Sequence, residues 1–324
     1  MTFLQLSYVV AVADEKSISR AAEKLKIAQP SLSRLITGLE REYGLELFKR
    51  TKNSVEPTYA GRVFIDHARR ILLQSKALET VMHELSGAQH GKLIFGCSSN
   101  HIGYLLPPML HKISAQFPYL EISVIDTDSA PLFRQLANGK VDLVYSHMPP
   151  HLPHNPNLQY IPITKEELLL AVPKHHPLAA RAVGVPDWRD REPISLGEIA
   201  DEPFIQLPKN HSIRILTDAL FAKHSFAPKV KFEISLNMIA HELSAAGLGV
   251  TILPESELLF NAANLECVLF PIEDRTCARQ IYISYQKAMY TTLIQECIDV
   301  ISEITDEIFN GSATQVAVEK LTRR

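Results

Sequence analysis

Residues 17–50, SISRAAEKLKIAQPSLSRLITGLEREYGLELFKR, restrict this chain more than any other stretch. Ser17 is a good N-cap. Behind it Ile18, Ala21, Ala22 and Leu25 fall at the i, i+3, i+4, i+7 spacing of a buried helical stripe. Lys26-Ile27-Ala28 reads as a turn, and Gln29 with Pro30 opens a second helix, where a proline needs no N–H. Leu32, Leu35, Ile36 and Leu39 repeat the stripe. Two short apolar faces joined by so short a turn must bury each other, which is a helix-turn-helix.

The residues outside the stripe are Gln29, Pro30, Ser33, Arg34 and Thr37, together on the opposite face. Gln can pair with adenine, Arg with guanine, and Ser or Thr with bases or phosphate. Alone they equally describe an ordinary solvated face. The next dozen residues tip the balance. Gly44 suits a helix C-cap. Leu47, Phe48, Arg50, Lys52 and Val55 then form a short hairpin pattern with Asn53-Ser54 at its tip, a wing that carries Lys49, Arg50 and Lys52 towards phosphate.

This segment resembles the winged helix-turn-helix of the LysR-type transcriptional regulators. The matching residues are Ser17, Ala21, Ala22, Leu25, Gln29, Pro30, Ser33, Leu39, Glu40, Gly44, Leu47, Phe48, Arg50, Thr58 and Gly61. The resemblance implies that Gln29, Pro30, Ser33 and Arg34 contact an operator, with Thr37 on the same face, while Arg50, Lys52 and the wing grip the DNA backbone. Two positions depart from the family pattern. Ala28 replaces a Ser or Thr cap, and Pro57 replaces a Leu in the return strand of the wing.

Net charge agrees once it is divided along the chain. The total is -3, yet residues 1–70 hold 12 Lys+Arg against 8 Asp+Glu, leaving an acidic remainder. A basic head on an acidic body is expected when only the head meets nucleic acid. The chain has no apolar run of membrane-spanning length and no signal-peptide pattern at its start, so a cytoplasmic protein is expected, with Cys97, Cys267, Cys277 and Cys297 as reduced thiols.

Residues 2–13 form a supporting helix with Phe3, Leu6, Val9 and Val10 inward. From Thr58 a long helix reaches Leu85, with Phe64, Ala68, Ile71, Ser75, Leu78, Met82 and Leu85 in a heptad seam that favours pairing with a second chain. In the resembled family this helix joins dimers. Residues 86–91 read as a hinge. Beyond them short apolar strands alternate with helices, which indicates a parallel sheet covered on both faces. The runs HPLA (176–179) and AAGLGVTILPE (245–255) also resemble the family, and the likeness extends to about residue 309.

The expected architecture is α/β overall. It comprises an N-terminal winged helix-turn-helix (1–60), a dimerisation linker helix (61–89), a two-lobed effector domain like a periplasmic binding protein (90–310), and a loose tail (311–324). Lobe I takes about 90–162 and 270–310, and lobe II about 163–269. Ligands of open α/β sheets sit at the carboxyl ends of strands. That places Ser98, Ser99 and Asn100 as effector contacts, with Thr127, Ser146 and Gln206 at later strand ends; each of these residues also suits a helix cap or turn. Expected partners are operator DNA, a small and anionic effector, and a second copy through the linker, with dimers paired into a tetramer and RNA polymerase as a further partner. No cofactor, metal or membrane is expected. His147, His151 and His154 lie in a proline-rich loop and read as solvated rather than metal-binding. Two other functional classes stand beside this one: a thiol-based redox sensor using Cys267 and Cys277, and an enzyme, for which no catalytic motif appears.

Overall fold

The computed structural model describes residues 1–50, 54–85, 91–149, 152–185, 187–257, 267–274 and 278–309; the side chains of residues 50, 83–85 and 99–102 are outside that description. Lys52, Cys277, His151, most of the 86–91 hinge and the 311–324 tail therefore lie outside the described residues. The chain divides into two compact units, residues 1–91 with 286–291, and the remainder.

In the first unit, α1 (Phe3–Glu15), α2 (Ile18–Lys24) and α3 (Gln29–Tyr43) close on one core. It holds Val9, Val12, Ala21, Ala22, Leu32, Ile36 and Leu39. Ser17 caps α2, accepting the Arg20 N–H at 3.3 Å. Ala28 gives α3 no side-chain cap, and Gly44 ends α3 with φ +65°. Phe3, expected inward, is exposed, and Val12 takes its place in the core. β1 (Phe48–Arg50) pairs antiparallel with β2 (Val55–Pro57), the two strands of the wing.

Two side chains hold the wing in register with the helices. Glu40 Oε1 accepts both the Leu47 and Phe48 N–H groups, at 2.8 and 3.2 Å. The Thr58 hydroxyl donates to Glu46 O and accepts the Gly61 N–H at 2.9 Å. Gly61 must be glycine: a Cβ there would lie 1.8 Å from Leu47 O.

Helix α4 (Tyr59–Leu85) carries the heptad positions, but they divide into two groups. Phe64 and Ala68 turn inward on their own unit, Phe64 meeting Tyr43 edge-on at 5.9 Å. Leu78 and Met82 are exposed, as is neighbouring Val81.

The second unit has a mixed sheet of order β10-β6-β11-β5-β3-β4, with β9 also on β6. Its strands are β3 (Gly91–Cys97), β4 (Leu120–Asp126), β5 (Leu143–His147), β6 (Leu158–Pro173), β9 (Thr251–Pro254), β10 (Cys267–Pro271) and β11 (Ala278–Gln286). β7 (Pro203–Gln206) and β8 (Lys229–Glu233) form a separate parallel pair. The strand pairing corrects the expectation of a parallel sheet. β3 and β5 are parallel, but β11 runs antiparallel to β5, and β9 and β10 antiparallel to β6. The reason is topological: β6 leaves the first lobe and β11 returns to it, so the strands that join the lobes run against their neighbours. β6 also begins well before its apolar run at 168–172, because its first half lies in lobe I.

Helices cover both faces, as expected. In lobe I, Leu143 and Tyr145 face α5 (Ser99–Gln116) and α9 (Thr292–Phe309), while Val144 faces α6 (Ser129–Ala137). In lobe II, Leu168, Leu170 and Val172 pack with Phe221 of α7 (Ser212–Lys223), and Leu169 and Ala171 with Ala240 of α8 (Asn237–Ala245). A strand alternates its side chains between faces, so burial on both sides demands the continuous apolar run LLLAV at 168–172.

Candidate functional site

Two places gather chemistry. The first is the outward face of α3. Gln29, Pro30 and Arg34 are exposed, and Ser33 and Thr37 are half-buried beside them. The missing Cβ of Gly38, one turn beyond Arg34, would face open space. Arg34 Nε donates to Pro30 O at 3.3 Å, which lays the guanidinium along the first turn of the helix. A residue that sequence reasoning passed over, Ser31, is also exposed in that turn. Pairing Arg50 with Val55 sets its backbone in the wing, next to the exposed Lys49.

The second is a cavity of about 300 Å³ between the lobes of the second unit. Ser98, Asp128, Ser129 and His147 line it from lobe I; Pro208, Asn210, His211, Ser212, Ser235 and Leu236 line it from lobe II. Four helices begin at its wall. Ser98 is the N-cap of α5, Asp128 of α6, His211 of α7 and Leu236 of α8. The first N–H groups of a helix have no partner within it, and its dipole makes that end positive. Four such ends around one small cavity favour a negative ligand.

Ser98 makes no cap bond with its side chain, although it holds the cap position. It lies in the cavity wall. Ser146 is fully buried and shares a 2.6 Å hydrogen bond with Ser129 Oγ, so it stands behind the wall and supports a residue in it. Thr127 is half-buried beside the lining residue Asp128 and does not line the cavity itself. Gln206 is buried against Arg214 and Thr217, in a separate small cavity under α7. The side chains of Ser99 and Asn100 lie outside the described residues.

The structure adds groups that sequence reasoning missed. His147 is buried at the end of β5, its ring nitrogens 3.1 and 3.2 Å from Ser129 Oγ. Arg279 on β11 is also buried and donates from Nη1 to His147 Nδ1 at 3.3 Å. A guanidinium only donates, so Nδ1 accepts and a neutral ring carries its proton on Nε2. Across the cavity, His211 Nδ1 accepts the Ile213 N–H at 3.2 Å. Burial lowers the pKa of His211, with Asp128 opposing and the Arg279 charge adding to the lowering. The sequence showed His147 only as a histidine of a proline-rich loop, and His211 was passed over. Arg279 sits 132 residues from the histidine it touches, and no spacing rule reports such a contact.

Known proteins match both parts of the chain. Residues 3–62 match the family model described as bacterial regulatory helix-turn-helix protein, lysR family, and residues 86–304 match the LysR substrate binding domain. The HTH-type transcriptional regulator AlsR of Bacillus subtilis is 30% identical over 304 residues, spanning 93% of this chain and 95% of that protein. Among solved structures, full-length BenM is 26% identical with a TM-score of 0.56, covering 94% of this chain and 96% of that one. A full-length OxyR variant from Pseudomonas aeruginosa, at 22% identity, shares the fold with a TM-score of 0.65 over 94% and 95%.

Proposed function

The chain belongs to the LysR family of DNA-binding transcriptional regulators, and from that premise we propose that its inter-lobe cavity senses a small anion and so changes how paired reading helices meet an operator. The observation that carries this reading is the convergence of four helix N-termini on one cavity, with Ser98, Ser129, His147 and His211 in its wall. Hydroxyl and imidazole groups supply hydrogen bonds, and the helix ends supply positive potential. A cavity near 300 Å³ suits a compact metabolite, such as a small carboxylate, at the low end of small-molecule sites.

On the DNA side, Gln29, Pro30, Ser33, Arg34 and Thr37 are assigned to the major groove, and Arg50 and Lys52 to phosphate. The exposed apolar stretch of α4 joins a second chain, because two reading heads then address two half-sites. Dimers pair into a tetramer. A ligand controls the heads only through its different affinity for two arrangements of the protein. The site is one of binding and not of catalysis, and the protein works in the cytoplasm, where its operator is. Among the described residues no helix is long and apolar enough to cross a membrane.

A thiol-based mechanism draws no support from the described thiols. Burial pushes the Cys97 thiol well up and that of Cys297 to about 12, and Cys267 is buried with its thiol towards His241 O. Reactive thiols have the opposite surroundings.

The test is a thermal-shift screen of the full chain against small carboxylates and other oxyanions. A ligand present at a hundredfold excess over its Kd adds about 2.7 kcal/mol to stability. A shift with an anion, lost in Ser98→Ala, is the expected result. Shifts only with uncharged compounds would overturn the anion assignment, and an undiminished shift in Ser98→Ala would remove that residue from the site.

A further inference from the structure

Near residue 166 β6 passes from the lobe I part of the sheet to the lobe II part. Thr164 O still accepts from Gln280 Nε2 on β11, at 2.8 Å, while Leu168 already pairs with Pro254 on β9. Glu166 is wholly buried at this crossing and accepts a hydrogen bond from Arg279 Nε. Two more carboxyls lie beside it. Glu255, just past β9, accepts the Glu167 N–H at 3.1 Å, and its own N–H donates to Glu167 O at 2.9 Å. Glu257 faces Asn237 of α8, with Glu166 and Arg279 near it. Arg189, partly exposed, is 3.6 Å from Glu255. Among the described residues, the charged groups that act on the pair are Glu166 and Glu167 on β6, Arg279 on β11, and Arg189, which Asp187 also holds at 3.5 Å.

Three buried carboxyls thus share this crossing with one buried guanidinium, Arg279, which acts on Glu166 and Glu257, and with the partly exposed Arg189, which acts on Glu255. Fully ionised, they would place uncompensated negative charge in a dry interior, which costs more than any single pair returns. Protonation is the way out. Burial, with the Glu166 charge adding to it, pushes Glu255 and Glu257 up to about 7. The same Arg279 reaches His147 in the cavity wall, so one hydrogen bond links the crossing to the cavity.

We propose that this crossing is a proton-operated latch: protons on Glu255 and Glu257 hold the strand crossing as seen here, and their loss loosens it, so that cleft closure is coupled to proton uptake. The link to ligand rests on the cavity being the effector site; the latch itself does not. The sign comes from linkage. The closed crossing binds protons that an opened, hydrated one releases, so opening becomes easier as pH rises through 7. The histidines whose pKa burial lowers, His211 and His241, act oppositely, with an effect that fades by about pH 7.5.

Hydrogen exchange of the full-length protein without ligand, at pH 6.5 and 8.0 and corrected for intrinsic rate, tests the latch. Protection of residues 158–173 and 278–286 is expected to fall by up to about tenfold at the higher pH, while α1–α3 serve as an internal control. In the double variant Glu255→Gln, Glu257→Gln, which keeps the shape of the protonated pair, protection is expected to be independent of pH. Protection that does not change with pH in the wild type, or an equal fall in the double variant, would overturn the proposal. A failed ligand screen would leave this result untouched, so the two readings fail separately.

Discussion

Single residues set the limits of the DNA-binding unit. Gly61 lies against a backbone carbonyl, and Gly38 lies in the open, although both are helical glycines. Gly61→Ala is expected to push the wing off its helix and to cost about 1–3 kcal/mol or more. Gly38→Ala is expected to gain roughly 0.5–1 kcal/mol, because alanine is the better helix former. Thermal unfolding of the two variants measures the contrast directly. Arg34→Ala is expected to weaken operator binding by roughly 1–3 kcal/mol and to relax specificity at one base pair. Equal losses on operator and random DNA would instead make Arg34 a phosphate contact.

At the scale of elements, α4 decides how many chains act together. Its periodicity reads as one seam broken only by Ser75, but a single unit already uses Phe64 and Ala68, leaving Leu78, Val81 and Met82 exposed. A charge at an exposed position need not disturb the fold of its own chain. Leu78→Glu with Met82→Glu is therefore expected to leave helicity and unfolding cooperativity intact while shifting the protein to monomers in sedimentation. Retained dimers would place the main contact elsewhere. Four other helices matter for where they start. α5, α6, α7 and α8 each have their N-termini at the cavity, a result of strand order and not of any one helix's sequence.

For the whole molecule the titrations combine into one profile. Below pH 6.5, protonation of the raised pair Glu255 and Glu257 favours the folded chain, and protonation of His211 and His241 favours the unfolded one. These contributions oppose each other, so little net slope is expected between about pH 5 and 6.5. Above 6.5 the histidines of the unfolded chain lose their remaining half-charge by about pH 7.5, which offsets part of the proton loss from the glutamates. Tm is expected to fall by roughly 1–3 °C between pH 6.5 and 8, and the Glu255→Gln, Glu257→Gln variant is expected to show no fall. A Tm that rises over this interval would contradict the assignment.

What the chain determines locally is largely legible in its letters. The stripe from Ile18 to Leu39, the Ser17 and Thr58 caps, the Gly44 stop and the alternation of strands and helices all come from periods of 3.6 and 2 and from caps within a few residues. Ser98 was legible too, as the residue between a strand and its helix. Other features came only with the tertiary structure. Strand direction reversed where β6 and β11 cross between lobes; Gln206 turned under α7 and away from the cavity; and Arg279 met His147 and Glu166 from a strand 132 and 113 residues further along the chain. The physical reason is range. Caps and stripes act over a few residues of backbone, whereas a cavity wall and a buried charge cluster are made where distant segments pack, and only the completed packing fixes which side chains those segments bring together.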